Sequence, residues 1–113
     1  MTEELRRVLS EIQSLLYPLT SSMRNCIEGG LATSMDDMDN LGKDLILLAE
    51  RFRNRLKELN HTVLTLTLME AGVCIRSRVR KLKKRGILDE DVVFFNDVYS
   101  LIKLIEDSIA SGE

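Results

Sequence analysis

Apolar side chains recur along most of the chain at three- and four-residue steps, the spacing of one buried helical face. The first run is Leu5, Val8, Leu9, Ile12, Leu15, Leu16 and Leu19, and Thr2 ahead of Glu3 and Glu4 supplies a capping hydroxyl and first-turn negative charge. Pro18 lacks an amide hydrogen and disfavours helical angles at Tyr17, so a break or kink is expected there, followed by a shorter helical piece over 20–28. Gly29-Gly30 ends that piece. Residues 31–34 read as a connector, with Ser34 capping the second helix and Asp36, Asp37 and Asp39 at its positive end.

The second helix carries the most regular repeat. Met38, Leu41, Leu45, Leu48, Phe52 and Leu59 fall on alternating three- and four-residue steps, and Arg55 holds the one seam position that is not apolar. Leu45, Leu48, Phe52, Arg55 and Leu59 therefore form a candidate interface seam. Ile46, Leu47, Ala49 and Leu56 widen the stripe, which predicts packing on more than one side. Asn60-His61-Thr62 marks the next boundary.

Val63, Leu64, Leu66 and Leu68 then interleave with Thr65 and Thr67, the period of a strand. No second alternating segment exists to pair with such a strand, whose backbone would be left unsatisfied. The stripe Leu64, Leu68, Ile75, Val79 and Leu82 makes this segment a helix, with Gly72 at a close-packing position and Gly86 beyond a basic last turn. Asp89-Glu90-Asp91 opens a fourth helix whose stripe is Phe95, Val98, Leu101, Ile102, Ile105 and Ile109, and residues 111–113 read as a tail. The expected architecture is a single all-α domain over 1–113, a bundle of four main helices with a Pro-kinked first helix and short loops.

Composition narrows the function classes more than it names one. Among 113 residues, one Pro, no Trp and 4% aromatics fit packed helices better than a sandwich or barrel. A net charge of -2 excludes a histone-like wrapper of nucleic acid. No apolar run is long enough for a membrane span, and Met1-Thr2-Glu3-Glu4 lacks the basic start of a secretory signal. Cys26 and Cys74 are too few and too far apart for a disulfide scaffold, so free thiols in a reducing cytoplasm are expected.

Candidate chemistry is concentrated in one basic run. Seven of the sixteen Lys and Arg lie between positions 76 and 85: Arg76, Arg78, Arg80, Lys81, Lys83, Lys84 and Arg85. Arg76, Arg80, Lys83 and Lys84 fall roughly on one side of a helix, and the others spread around the flank. A DNA or RNA phosphate backbone, or an acidic partner helix, could dock there in a salt-dependent way. No aromatic residues interleave, so base stacking is not suggested. The plainer alternative is a solvated helix end that complements its dipole. Arg51, Arg53, Arg55 and Lys57 alternate in sequence and point to different sides; Arg55 alone interrupts the seam, where such a residue sets register or contacts a partner's carboxylate.

The catalytic inventory is thin. His61 is the only histidine, a zinc site of two Cys and two His lacks its second histidine, and no glycine-rich phosphate loop occurs. No catalytic, metal or cofactor site is therefore expected. The acidic triplets at Asp36, Asp37, Asp39 and at Asp89, Glu90, Asp91 sit at helix starts, where the dipole accounts for them.

Two resemblances add to this reading. Arg55 followed after five residues by His61 resembles the Arg-spacer-His element of HEPN ribonucleases, small helical domains. That resemblance implies metal-independent RNA cleavage by Arg and His from two protomers. The helix Cys74-Ile75-Arg76-Ser77-Arg78-Val79-Arg80-Lys81-Leu82, the turn Leu88-Asp89-Glu90-Asp91 and the apolar helix after it look like the end of the helical A-domain of GINS subunits. The acidic start at Asp36 to Asp39, the long seam of the second helix and the leading Leu5 to Leu9 segment are similar to the same layout. GINS subunits usually add a small β-rich domain, which nothing here is patterned to form, and Asp89 stands where the family has a hydroxyl cap. The resemblance implies a non-catalytic replication scaffold that joins sister subunits and couples the MCM helicase to a RecJ-like protein. The expected function is thus a helical interaction module that forms a homo- or hetero-oligomer or docks in a larger complex, with no membrane partner. The alternatives are a backbone-directed nucleic-acid binder using 76–85 and a HEPN-like ribonuclease using Arg55 and His61.

Overall fold

A computed structural model describes residues 2–111 and contains four helices: α1 (Glu3–Glu28), α2 (Leu31–Glu58), α3 (Val63–Arg85) and α4 (Asp89–Ala110). No strand occurs among the described residues, and no helix is long and apolar enough to cross a membrane. Gly112 and Glu113 lie outside the described residues, and Ser111 caps α4. The loops are short enough to fold each helix back antiparallel on its predecessor. Each helix packs on the next, and α4 closes the ring on α1. The result is a rod of 47 × 22 × 18 Å.

The buried stripes meet in one core that includes Ile12 and Leu16 of α1, Leu45 and Phe52 of α2, Leu68 and Ile75 of α3, and Phe95 and Ile102 of α4. α2 and α3 cross most closely, backbone against backbone, at Gly42 and Gly72. A Cβ built on Gly72 would stand 2.5 Å from the Gly42 carbonyl oxygen, so the close-packing role expected of Gly72 holds, with Gly42 as its partner. Gly30 and Gly86 take positive φ at the two helix junctions, as does Asn60 in the α2–α3 loop.

Several local expectations need correction. α1 is not broken at Pro18; it runs unbroken through Tyr17 and Pro18 to Glu28, and the separate piece over 20–28 does not exist. Tyr17 and Pro18 face solvent, where water can satisfy the Ser14 carbonyl that loses its amide partner. Leu16, Thr20 and Met23 remain buried across the proline, and the Thr20 hydroxyl donates to the Leu16 carbonyl at 3.1 Å. Packing outweighs the local penalty. Residues 31–34 are not a connector either: α2 begins at Leu31, which is buried, Gly30 is its cap, and Ser34 lies inside the helix. The charge of Asp36, Asp37 and Asp39 therefore falls beyond the first turn. Leu15, Leu47 and Leu101, expected inside, are exposed, and Leu59, Val98, Ile105 and Ile109 are only partly buried.

Candidate functional site

The basic run and the two acidic helix starts, separate features in the sequence, are one structure in three dimensions. Antiparallel packing sets the C-terminal end of α3 between the N-terminal ends of α2 and α4. Arg76 Nε lies 3.2 Å from Asp39 Oδ1, and Lys83 is bonded to Asp36. On the other flank Arg78 Nη1 donates to Asp91 Oδ1 at 3.1 Å, and Arg85 grips both oxygens of Asp91 at 2.8 and 2.9 Å. The forked guanidinium matches the planar carboxylate, the strongest form of such a pair. Arg78 also stacks 4.3 Å above the Phe94 ring centroid.

Asp91 is the exception to the view that the acidic starts are exposed dipole complements, because its side chain has no solvent-accessible surface. Its Oδ2 also accepts the Leu88 backbone N–H at 2.8 Å, so Asp91 at the third helical position closes back on the cap. Leu88, rather than Asp89, is the capping residue. The Arg85 guanidinium, helped by the Leu88 amide and Arg78, holds the Asp91 carboxyl well below the usual carboxylate range despite its burial.

Four cations of the run are therefore bound to carboxylates, and among the described residues Arg80, Lys81 and Lys84 remain exposed without an ion pair. The seam of α2 is likewise spoken for inside the chain. Leu45, Leu48 and Phe52 are buried in the bundle's own core, and Leu59 packs against its edge. Arg55, expected to set register or reach a partner's carboxylate, lies instead 3.5 Å from a carboxylate of its own chain, Glu11 on α1, and its guanidinium lies 5.5 Å from the Phe52 ring centroid. Leu56, one position further on, is fully buried in its place.

Arg55 and His61 engage different neighbours. Arg55 is held against α1, whereas His61 lines a groove of about 310 Å³ with Leu9, Val63, Leu64, Leu104 and Ile105. Cys26, buried between α1 and α2, has its thiol pushed up by burial and by Asp37, so it is no ready nucleophile. Cys74 is exposed and free. Among the described residues no three His, Cys, Asp or Glu side chains converge as a metal-ligating set.

Two features escaped the sequence reading. The first is Glu106, buried on the core side of α4 with Oε2 unpartnered and Lys103 Nζ 3.8 Å from the other oxygen. A buried carboxylate so poorly compensated costs stability. Glu106→Met should raise the melting temperature by several degrees, about 1 kcal/mol, in a calorimetric scan; a lowered melting temperature would show that the carboxylate has a stabilising role. The second is a pair of apolar rows on the outside of the bundle. Val63, Leu66 and Val73 on α3, and Val93, Leu101 and Leu104 on α4, are all exposed. Apart from Leu101, which the pattern placed in the α4 stripe, they stand in the sequence as apolar residues out of phase with the buried stripe.

Compared with known protein families, curated proteins and solved structures, the chain matches none.

Proposed function

We propose that this protein is a non-enzymatic helical interaction module that oligomerises or docks in a larger assembly. The observation that carries this reading is the apolar surface of α3 and α4. Val63, Leu66 and Leu104 are 74%, 61% and 63% exposed, although the bundle has a filled core elsewhere. Single exposed apolar residues are ordinary on a monomer, but rows of them on adjacent helices mark contact surfaces. The likeness of 36–109 to the GINS helical A-domain gives one concrete form of such an assembly, a scaffold subunit of a replication helicase complex.

Size exclusion coupled to light scattering, at two salt concentrations and from micromolar to millimolar protein, tests the reading. A discrete oligomer of fixed mass is expected. A strict monomer throughout that also captures no protein partner would overturn it and shift weight to Arg80, Lys81 and Lys84, which have no ion pair among the described residues, as a weak, backbone-directed contact for nucleic acid.

A further inference from the structure

We infer that the outer face formed by α3 and α4 is a self-complementary interface, and that its occupant is a second copy of this chain related by a two-fold axis running along the helices. The inference rests on the interaction-module reading and gives that module its surface, partner and symmetry.

α3 and α4 lie antiparallel, joined at one end by the Arg78 and Arg85 pairs to Asp91. At that end Lys81 and Lys84 of α3 lie level with Asp89 and Glu90 of α4. All four are exposed, and none takes part in an ion pair among the described residues. At the other end Val63 and Leu66 of α3 lie level with Leu104 of α4, and the two helices part to leave the groove lined by Leu64, Thr67, Leu104 and Ile105. At its two ends the face therefore runs from charged to apolar, with cations on α3 and acids on α4 at the charged end, while Glu70 of α3 and Asp97 of α4 are exposed between them.

Only one two-fold arrangement suits that grading. An axis parallel to the helices lays α3 of one copy over α4 of the other while keeping every residue at its own level. Lys81 and Lys84 then meet Asp89 and Glu90 of the second copy, and Val63 and Leu66 meet its Leu104, each contact occurring twice as an isologous interface requires. An in-plane axis across the helices would instead set Val63 and Leu66 against Lys84 of the second copy. A foreign acidic helix could satisfy the lysines but would be repelled by Asp89 and Glu90 on the same face. The chain itself carries both halves of the pattern in the right order.

The area is adequate. Helices of 22 and 23 residues are each about 33 Å long and about 10 Å wide, so side by side they present a face of about 650 Å² in projection. That approaches the roughly 800 Å² per partner of a standard stable interface. The groove between Leu64 and Ile105 offers the depression into which apolar side chains of the second copy fit.

Charge reversal with mixing decides the matter. The wild type should run as a dimer of twice 12.9 kDa by light scattering. Lys81→Glu with Lys84→Glu should weaken it about 100-fold or more, as should Asp89→Lys with Glu90→Lys, because each puts like charges opposite one another. An equimolar mixture of the two variants should regain wild-type affinity to within about tenfold, since both contacts are then complementary again. Circular dichroism melts check that each variant is folded, and Leu104→Arg, at an exposed site, should dissociate the dimer without charge reversal. A wild-type dimer indifferent to both reversals, or a mixture that stays monomeric, overturns this interface and leaves the module reading standing. A wild-type monomer at millimolar concentration overturns this interface and the self-associating form of the module, leaving only docking on a different protein.

Discussion

Asp91→Ala lowers the melting temperature by roughly 10 °C or more, among the largest effects expected of any polar substitution in this chain. The carboxylate is wholly buried and receives four hydrogen bonds: two from Arg85, one from Arg78 and one from the Leu88 amide. Removing it strands two guanidinium groups beside the core and opens the α4 cap. Arg78 and Arg85 are part-exposed and recover some hydration, which keeps the loss toward the lower end of what a broken buried pair costs. Asp91→Asn keeps an acceptor for Leu88 but turns an amide toward Arg85, so it falls between alanine and wild type.

The same group sets a pH signature. Its pKa is held below that of the unfolded chain, about 3.9 for an aspartate. Its contribution is therefore complete above about pH 4 and is lost as pH falls through the unfolded value toward the folded one. Melts of wild type and Asp91→Asn between pH 7 and pH 2 should show a constant gap down to about pH 4 that narrows below it. A gap unchanged across that range, or an alanine variant that melts with the wild type, would remove Asp91 from the centre of the α3–α4 junction.

The limits of the sequence reading follow from the same contacts. Helix stripes were legible because each reports only its own helix's buried side; Leu64, Leu68, Ile75, Val79 and Leu82 are all buried. What one helix cannot report is the identity of its neighbour. The acids near the α2 start, the acids of α4 and the cations of α3 each looked like a complement to a helix dipole, because dipole and ion pair favour the same charges at the same ends. Their mutual pairing depends on antiparallel packing across 37 residues for Arg76 and Asp39 and 13 for Arg78 and Asp91. Pro18 misled for a related reason: the local penalty is real, but burial of Leu16, Thr20 and Met23 on either side overrides it. The strand-like alternation after His61 has a structural cause as well. Leu64 and Leu68 face the core while Val63 and Leu66 face outward, so α3 is apolar on two sides. The pattern that obscured its secondary structure is the pattern that leaves an apolar row on the outside of the bundle.

Gly72→Ala is expected to cost about 2 kcal/mol net, close to 10 °C in melting temperature, although alanine is the better helix former. At an exposed mid-helix site the exchange would stabilise by about 1 kcal/mol. Here the new methyl would lie 2.5 Å from the Gly42 carbonyl oxygen and 2.7 Å from Ile46 Cγ1, with the Ile46 amide nitrogen at 3.2 Å. Two of those three atoms are backbone, which cannot swing aside, so α2 and α3 must separate over the closest part of their crossing. Gly42→Ala meets the Gly72 carbonyl oxygen at 2.9 Å and the flexible Arg76 side chain at 2.8 Å, a milder clash. Its cost should be about half that of Gly72→Ala. The two effects should not add in the double variant, because one separation of the helices relieves both contacts. Prising α2 from α3 also stretches the Arg76–Asp39 and Lys83–Asp36 pairs, about one and three turns along α3, and it tilts the outer face of α3 relative to α4. Calorimetry of the three variants tests the ordering, and light scattering of Gly72→Ala below its melting point tests the coupling. A stabilised Gly72→Ala would mean that the helices do not cross at these two glycines, and a destabilised variant with undiminished self-association would separate the crossing from the surface it supports.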